Sequence, residues 1–345
     1  MRRALVLAKR GWGHVSPNPM VGCVIADGVN IIAEGYHRRF GGGHAETEAL
    51  QRLNKQSPGA TMYVTLEPCS HYGKTPPCVD AIIKSKIRRV VIGASDPNPT
   101  AAGGIKVLSR NGVICQKGLL AEESKNLNRA FFVQIEKRRP MIALKLASTL
   151  NGYIARKDGT SQWITSLEAR KRVHYLRGGH QAILVGNETL LKDNPRLDCR
   201  FYKLPDPIRL CVDRHGRIPS QLNIFGEGRV IYFSGYLRDD LPGHVHQVVL
   251  ENVESYDAIF SDVLDVLYKR GIHSLFVEGG SHLARFLIGR NLVDYAYLFI
   301  GGQYFCAGGT NVFGGSFEPG FQMEKVSKLG NSILVEGTFS CSQES

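Results

Sequence analysis

Residues 60–86, ATMYVTLEPCSHYGKTPPCVDAIIKSK, contain the patterns that decide the fold. The run before Pro68 is rich in β-branched and aromatic residues and favours a strand. The run from Cys78 onward favours a helix, and RRVVIGA, which follows it, favours a second strand. Strands separated by short helices are typical of a layered α/β sheet.

The same alternation extends in both directions along the chain. Asp27-Gly28 between two apolar runs predicts a hairpin, and residues 121–137 predict one long helix. The charged stretch EKRRP, residues 136–140, predicts a linker, after which strands and helices alternate again. A chain of 345 residues is long enough for two cores. We therefore expect two α/β domains, residues 1–139 and 140–345.

Composition limits the classes of protein that the chain can represent. No apolar run is long enough to cross a bilayer, and the N-terminus has no signal-peptide pattern. We expect a cytoplasmic protein whose eight cysteines are mostly free thiols. Residues 1–139 carry 21 Lys and Arg against 10 Asp and Glu, whereas the remainder carries 22 against 21. The basic half suits nucleic acid or a smaller anion such as a phosphate ester.

Four residues in the basic half match a catalytic zinc site. His44 opens a helix, Glu46 lies two residues later, Cys69 follows a strand and Cys78 starts the next helix. One imidazole and two thiolates suit zinc and leave a fourth position for water. Each residue alone has an ordinary explanation as a solvated histidine, a helix-start charge or a buried thiol. Their order H-x-E…P-C…C is the signature of zinc deaminases, with Glu46 as the proton shuttle.

One departure from that signature narrows the prediction. Eight residues separate the two cysteines where the common signature has two. PNPMVGCVI, GYHRRFGGGHAE, YVTLEPCSHYGKTPPC and DPNP together resemble the deaminase half of the bifunctional riboflavin-biosynthesis deaminase–reductases, which have this long loop. The resemblance implies a cytidine-deaminase-like three-layer α/β domain. It also implies zinc, one per chain, at His44, Cys69 and Cys78, and substrate contacts at Asn18, His71 and Lys74.

The C-terminal half resembles the reductase half of the same family. VEGG followed by Ser281 predicts a helix start suited to a pyrophosphate, or simply a tight capped turn. KLASTLNG, SQWITS, DNPRLDCR and VEGG carry the resemblance, which implies a dihydrofolate-reductase-like α/β domain that uses NADPH. Lys145 is the expected catalytic residue. The expected cofactor contacts are Ala147, Trp163, Thr189, Asp193, Arg214, Gly280, Ser281 and His282, and the expected substrate contacts are Ser161, Arg177, Leu197, Arg200 and Glu278.

Asn151 departs from the family pattern. The family usually has S-L-D-G where this chain has Thr149-Leu150-Asn151-Gly152. An amide cannot exchange a proton as a carboxylate does, so Lys145 or Glu278 would have to take any such role. Because the cofactor provides the hydride, we expect the reductase activity to persist.

The resemblance implies two reactions in sequence. The first is hydrolytic deamination of 2,5-diamino-6-(5-phosphoribosylamino)pyrimidin-4(3H)-one, and the second is NADPH-dependent reduction of its ribosyl group to a ribityl chain. A tRNA or nucleoside deaminase with a divergent C-terminal domain is the alternative, and it leaves SQWITS and DNPRLDCR unexplained. A non-enzymatic nucleic-acid binder would need aromatic residues interleaved with basic ones, a pattern that we do not find. We expect a small-molecule substrate, no nucleic-acid or membrane partner, and a homo-oligomer.

Overall fold

The computed structural model describes residues 1–54, 56–73, 76–313 and 319–340. The chain forms two compact units, Met1–Arg138 and Arg139–Ser345. Within the described ranges, no helix combines the length and the apolar character that a membrane span requires. Each unit has its own sheet and its own apolar core.

The first unit is built on a mixed sheet that, over its described residues, has the strand order β2-β1-β3-β4-β5. β1 pairs antiparallel with β2 and with β3, whereas β3, β4 and β5 run parallel. The carboxyl ends of β3 and β4 therefore meet at one edge of the sheet. The strands are β1 (Gly22–Asp27), β2 (Asn30–Tyr36), β3 (Thr61–Leu66), β4 (Arg89–Ala94) and β5 (Ile114–Lys117).

Helices cover both faces of this sheet and give the unit three layers. On one face, Ala4 and Leu7 of the first helix pack against Val24. On the other face, Ala49 and Ile82 belong to the main core of the unit. The helices are α1 (Arg2–Ala8), α2 (Ala45–Leu53), α3 (Cys78–Lys84), α4 (Gly104–Arg110), α5 (Ala121–Leu127) and α6 (Arg129–Lys137).

The helix expected over residues 121–137 is broken at Asn128, which separates α5 from α6. The Asn128 side chain is buried and bonds to both backbone groups of Met20, accepting from its N–H at 2.7 Å and donating to its carbonyl at 2.9 Å. These two bonds hold Asn128 in a non-helical conformation and tie it to the segment that precedes β1. The linker expected over residues 136–140 is also shorter, because α6 continues to Lys137.

The second unit has a larger sheet with the order β11-β10-β9-β8-β12-β6-β13-β16-β15 in its described part. The strands from β11 to β13 in this order run parallel, and β16 and β15 are antiparallel. β7 and β14 form a separate pair. The strands are β6 (Met141–Ser148), β7 (Tyr153–Arg156), β8 (Ala182–Val185), β9 (Ile208–Val212), β10 (Val230–Ser234), β11 (Val245–Val249), β12 (Ser274–Glu278), β13 (Tyr295–Gly301), β14 (Gly309–Asn311), β15 (Gly320–Leu329) and β16 (Ser332–Ser340).

Two helices of the second unit pack their apolar faces on the sheet. Val263 and Leu287 belong to the same core as Leu144 and Val277 of the central strands. Another helix packs beside β16, where Arg172 pairs with the buried Glu336. The helices are α7 (Leu167–Gly179), α8 (Asn187–Asp193), α9 (Tyr256–Lys269) and α10 (Ser281–Gly289).

The hairpin of β15 and β16 was not expected from the sequence. Most residues of β15 are exposed or half-buried, so the strand lacks the alternation of apolar and polar residues that marks a strand with one buried face. Its place in the sheet depends on backbone pairing with β16, which in turn pairs with β13. Sequence periodicity does not report such pairing.

Gly35 allows α2 to approach β2 closely. A Cβ atom at Gly35 would lie 2.3 Å from the carbonyl oxygen of Ala45 and 2.5 Å from the backbone nitrogen of Ala49. Both atoms belong to the backbone of α2, so neither can move without the helix. Because Gly35 has no side chain, α2 can lie this close to β2. The position of α2, and of the residues that begin it, depends on this contact.

We expect Gly35→Ala to lower the free energy of unfolding of the first unit by about 1–3 kcal/mol, because the added methyl group overlaps the backbone. Deaminase activity should fall because α2 moves, whereas reductase activity should be kept. Calorimetry and separate assays of the two activities would measure this. Gly59→Ala is the matched control, since a Cβ atom at Gly59 has no neighbour within 4 Å. Equal behaviour of the two variants would contradict the role of Gly35.

Candidate active sites

The first site is a cluster of one histidine and two cysteines in the first unit. His44 precedes α2, Cys69 follows β3 and Cys78 is the first residue of α3. The Nδ1 atom of His44 lies 3.2 Å from Sγ of Cys78 and 3.6 Å from Sγ of Cys69. All three possible ligand atoms lie within 4.8 Å of one another. The fold thus brings together three groups that are spread over 34 residues of the chain.

This donor set fits a zinc ion. Zinc bonds of about 2.0–2.3 Å in a tetrahedron place the ligand atoms roughly 3.5–4 Å apart, close to the distances found here. The Cys78 thiol donates to Cys69, which lowers the pKa of Cys69, and His44 lowers it further. The pKa of Cys78 is raised by the same bond. A zinc ion would hold both sulfurs as thiolates.

Glu46 lies next to the cluster in a buried position. Its side chain is only 3% exposed, yet it lines a cavity of about 280 Å³ together with His44 and Cys69. Burial raises the pKa of the Glu46 carboxyl, although His44 opposes the shift. A carboxyl group with a raised pKa can both accept and donate a proton near neutral pH.

Three more residues were predicted for this site, and the structure describes two of them. Asn18 and His71 line the cavity. Lys74 lies outside the described residues. Several residues that were not expected from the sequence also line the cavity, among them His37 and Asp96, which the segments GYHRR and DPNP contain.

Glu67 holds the loop that brings Asp96 into the cavity. One oxygen of the buried Glu67 carboxylate accepts from the backbone N–H groups of Gly103 and Ile105, both at 3.1 Å. The other oxygen accepts from the N–H of Asp96 at 3.3 Å. Asp96 faces the cavity, and burial raises the pKa of its carboxyl to about 6. The carboxyl edge of β3 and β4 therefore forms one wall of the site.

The second site is a cavity of about 610 Å³ in the second unit. It opens where the carboxyl ends of the parallel strands meet, as in other α/β sheets that bind ligands. Most of the predicted reductase residues line it: Lys145, Ala147, Ser161, Trp163, Arg177, Thr189, Asp193, Leu197, Arg200, Glu278, Gly280 and Ser281. Two residues of α7 that were not expected from the sequence, Arg170 and His174, line the same cavity.

Glu278 is the centre of a buried charge network in this cavity. Nε of Arg177 donates to one carboxylate oxygen at 2.5 Å, and Nζ of Lys145 lies 3.5 Å from the other. Burial alone would raise the pKa of Glu278, but Arg177 and Lys145 lower it to about 2. Arg177 also donates to the carbonyl of Asp198 at 3.1 Å. The network fixes the Lys145 ammonium at the cavity wall.

The start of α10 suits the pyrophosphate of a dinucleotide. Gly280 precedes the helix without a capping side-chain bond from any described residue, so the first N–H groups of α10 remain available to an anion. Gly280 and Ser281 both line the cavity. The free N–H groups at this helix start and the polar residues of the cavity fit NADPH.

Arg214 and His282 do not appear among the residues that line this cavity. Arg214 follows β9, where Nη2 donates to the carbonyl of Glu254 at 2.8 Å and Nε is buried without a hydrogen bond to any described residue. His282 lies in the first turn of α10 and is exposed. Both stay predictions as cofactor contacts.

Asn151 stabilises the turn between β6 and β7 through side-chain hydrogen bonds. Its amide nitrogen donates to the carbonyl of Phe305 at 3.2 Å, and its oxygen accepts from the N–H of Phe305 at 3.1 Å and from the hydroxyl of Thr149 at 2.8 Å. It is not among the residues that line the cavity. A carboxylate could not donate to Phe305, so the amide suits this loop.

Comparisons with known proteins identify the family to which each half of the chain belongs. The family model for the RibD C-terminal domain matches residues 140–335, and that for the cytidine and deoxycytidylate deaminase zinc-binding region matches residues 1–94. The riboflavin biosynthesis protein RibD of Actinobacillus pleuropneumoniae is 40% identical over 87% of this chain and 82% of its own length. The RibD of Buchnera aphidicola is 36% identical over 97% and 96%.

Two solved structures also resemble this chain over nearly its whole length. A diaminohydroxyphosphoribosylaminopyrimidine deaminase/5-amino-6-(5-phosphoribosylamino)uracil reductase from Thermotoga maritima superposes with a TM-score of 0.90 at 40% identity, over 99% of this chain and 97% of that one. RibD of Acinetobacter baumannii gives a TM-score of 0.88 at 32% identity, over 98% and 97%.

The fold and the sites define a zinc-dependent deaminase joined to an NADPH-dependent reductase. The expected fold class, a cytidine-deaminase-like α/β domain followed by a reductase domain, is confirmed. The chain belongs to the RibD family of bifunctional riboflavin-biosynthesis enzymes, which deaminate and then reduce a phosphoribosylaminopyrimidine. The alternative of a tRNA or nucleoside deaminase is not favoured.

We expect Cys78→Ser to lose both zinc and deaminase activity, because a hydroxyl group is a much poorer zinc ligand than a thiolate. Elemental analysis should find about one zinc per wild-type chain. Cys115→Ser is the matched control, since Cys115 lies on β5 outside the cluster and should be replaceable without loss of metal. Full zinc content and activity in Cys78→Ser would refute the metal site.

We expect Glu278→Gln to lower the free energy of unfolding of the second unit by about 3–5 kcal/mol at neutral pH, because Arg177 would be left buried without its counter-charge. The folded-state pKa of Glu278 is below its ordinary 4.5, so its stabilisation is present above pH 4.5 and is lost as pH falls towards 2. The difference between variant and wild type should therefore shrink over that range in calorimetry.

Asp265→Asn is the control for this prediction. Asp265 pairs with Lys269 at 2.6 Å on the exposed face of α9, and both side chains are more than half exposed. Exposed pairs of this kind contribute little, so the variant should lose less than about 1 kcal/mol at any pH. If Glu278→Gln lost no more than this control, the buried network would not have the stabilising role assigned to it.

Proposed function

We propose that residues 1–139 carry out the deamination and residues 140–345 the reduction, each in its own cavity. The substrate of the first step is 2,5-diamino-6-(5-phosphoribosylamino)pyrimidin-4(3H)-one, and the product of the second is 5-amino-6-(5-phosphoribitylamino)uracil. The observation that carries this proposal is the His44, Cys69 and Cys78 cluster with the buried Glu46 beside it.

In the first cavity, His44, Cys69 and Cys78 are the proposed zinc ligands. Zinc held there supplies a positive charge that allows a water molecule to ionise near neutral pH. Glu46 accepts the proton from that water and delivers it to the leaving amine. Its raised pKa favours this exchange, because the protonated form is accessible during the reaction.

The polar residues around this cluster are proposed to hold the substrate. Asn18 and His71 line the cavity and can form hydrogen bonds with the pyrimidine or the ribose. Lys74 is proposed to pair with the 5-phosphate, since the loop between Cys69 and Cys78 carries it. Binding of the substrate's phosphate would account for the positive charge of residues 1–139, so no nucleic-acid partner is needed to explain it.

In the second cavity, Lys145 is the proposed catalytic residue of the reduction. NADPH supplies the hydride, and the protein positions it and manages the charge. Lys145 can donate a proton or a hydrogen bond to the sugar oxygen as the ring opens, and Glu278 holds its ammonium in place. Ser161, Arg177, Leu197 and Arg200 are proposed to contact the substrate, with Arg200 as the more accessible phosphate ligand because Arg177 is held by Glu278.

The cofactor is proposed to extend from the substrate towards the start of α10. Gly280, Ser281 and His282 surround the helix start that would accept the pyrophosphate. The proposed contacts with the rest of the cofactor are Ala147, Trp163, Thr189 and Asp193, all of which line the cavity. Arg214 is proposed to pair with the 2′-phosphate, since its Nε lacks a hydrogen bond to any described residue.

The decisive experiment supplies the diaminopyrimidine phosphate with and without NADPH and identifies the products by mass spectrometry. Deamination replaces an amine by an oxygen, and reduction then adds a hydride and a proton, so the two products differ in mass. We expect the first product without NADPH and the second with it. Turnover of cytidine or tRNA in place of the diaminopyrimidine would refute the substrate.

Lys145→Ala should separate the two activities. We expect reduction to fall by about 10²–10⁴-fold, the usual contribution of a general acid, while deamination is unchanged. The control is Lys269→Ala on the exposed face of α9, which should affect neither reaction. Equal loss of both activities in Lys145→Ala would argue against two independent sites.

A homo-oligomer in the cytoplasm is also proposed. β15 is the last strand of its sheet in the described part of the chain, and Met323, Val326 and Ile333 expose apolar surface on this hairpin. Exposed apolar strands at a sheet edge favour association. The described cysteines are free thiols, and a reducing compartment would keep them so.

A further inference from the structure

His37 lines the deaminase cavity beside Asn18 and has no part in the chemistry described above. It follows β2, is 2% exposed, and its ring contacts the ring of His44 edge to face at 5.5 Å between centroids. Nδ1 lies 2.9 Å from the carbonyl oxygen of Gly43, and Nε2 lies 3.2 Å from Nδ2 of Asn18. Both ring nitrogens therefore have a partner.

These two contacts determine which nitrogen of His37 carries the proton. A carbonyl oxygen only accepts, so Nδ1 must donate to Gly43. The atom that lies 3.2 Å from Nε2 is the amide nitrogen of Asn18, which only donates, so Nε2 accepts and the ring is neutral. A neutral ring that is protonated at Nδ1 has an acceptor at Nε2. The amide group of Asn18 must therefore present its NH₂ to His37.

The direction of the Asn18 amide follows from this. With its NH₂ bonded to His37, the Asn18 side chain has only its carbonyl oxygen, Oδ1, to offer elsewhere. Asn18 lines the cavity, and among the described residues its side chain has a hydrogen-bond partner only at Nδ2. The cavity therefore contains a fixed acceptor at this position, and a ligand that fills it must provide a donor.

We propose that His37 is a positioning residue that fixes the Asn18 amide, so that Asn18 accepts a hydrogen bond from the ring N–H of the pyrimidine next to the carbon that loses its amine. The inference rests on the proposed function of the first cavity. In a 2-aminopyrimidin-4(3H)-one, the amine-bearing carbon lies between an unprotonated ring nitrogen and a ring N–H. In cytosine the corresponding second neighbour is a C–H group.

An Asn18 amide held in this orientation would favour binding of the lactam pyrimidine over cytosine. A ligand with C–H at that position leaves Oδ1 of Asn18 buried without a donor, which is costly. A site built around a specific donor rejects ligands that lack it more strongly than a merely apolar pocket does. If His37 could not hold the amide, Asn18 could rotate and the discrimination would weaken.

The tautomer is tested directly by ¹⁵N NMR of the zinc-loaded wild-type protein, with His37 assigned by comparison with His37→Gln. We expect a neutral His37 ring with its proton on Nδ1 and an unprotonated Nε2. A proton on Nε2 would overturn the inference, since Asn18 would then have to turn its oxygen towards the histidine. This readout does not depend on turnover.

The functional test uses His37→Leu, with zinc content measured first. We expect the KM for the diaminopyrimidine phosphate to rise about 10–100-fold with a smaller change in kcat, because an oriented hydrogen bond is lost from binding. The ratio of kcat/KM for this substrate over cytidine 5′-monophosphate should fall. His37→Gln, whose side-chain oxygen can accept near the position of Nε2, should restore most of the KM.

His14→Leu is the matched control, because His14 is exposed and lies outside the residues that line the cavity. It should leave the KM and the ratio unchanged. An unchanged KM and ratio in zinc-loaded His37→Leu would overturn the inference. If His37→Leu loses zinc, the NMR result and the recovery in His37→Gln decide the question. Failure of the wild type to deaminate the diaminopyrimidine would refute the proposed function instead.

Discussion

Parallel pairing of strands is the constraint on which both cavities depend. Because β3 and β4 run parallel, the segments that follow them, with Cys69 and Asp96, emerge at the same edge of the sheet. In the second unit, β6 and β12 pair in parallel, which places Lys145 directly opposite Glu278. Reactive side chains at strand ends then converge although they are distant in the chain. The close approach of α2 at Gly35 completes the first cavity by bringing His44 and Glu46 to that edge.

The pKa values of the two buried glutamates, Glu46 and Glu278, shift in opposite directions because their surroundings differ. Burial dominates at Glu46 and raises its pKa, so the group can hold or release a proton. At Glu278 the neighbouring Arg177 and Lys145 outweigh burial and lower the pKa to about 2. The first carboxyl is suited to moving a proton, and the second is suited to holding a cation in position.

The elements that sequence reasoning missed share one physical cause, since they depend on contacts between distant segments. Asn128 breaks a helix because it bonds to Met20, and Asn151 holds its loop because it bonds to Phe305. β15 is a strand because β16 pairs with it, although its exposed residues show no alternation. Local propensity reports none of these contacts, whereas it reported the Asp27-Gly28 hairpin correctly because that signal is local.

The sequence by itself indicated the fold class through helix and strand periodicity and the family through the resemblance of its motifs. The H-x-E…P-C…C order singled out His44, Cys69 and Cys78, because short segments carry it. Only the tertiary structure decided which partners each polar group has. It placed Glu278 between two cations and His37 between Gly43 and Asn18. Burial and hydrogen-bond partners set the pKa, the tautomer and the direction of a side chain, and these depend on residues that are distant in the chain.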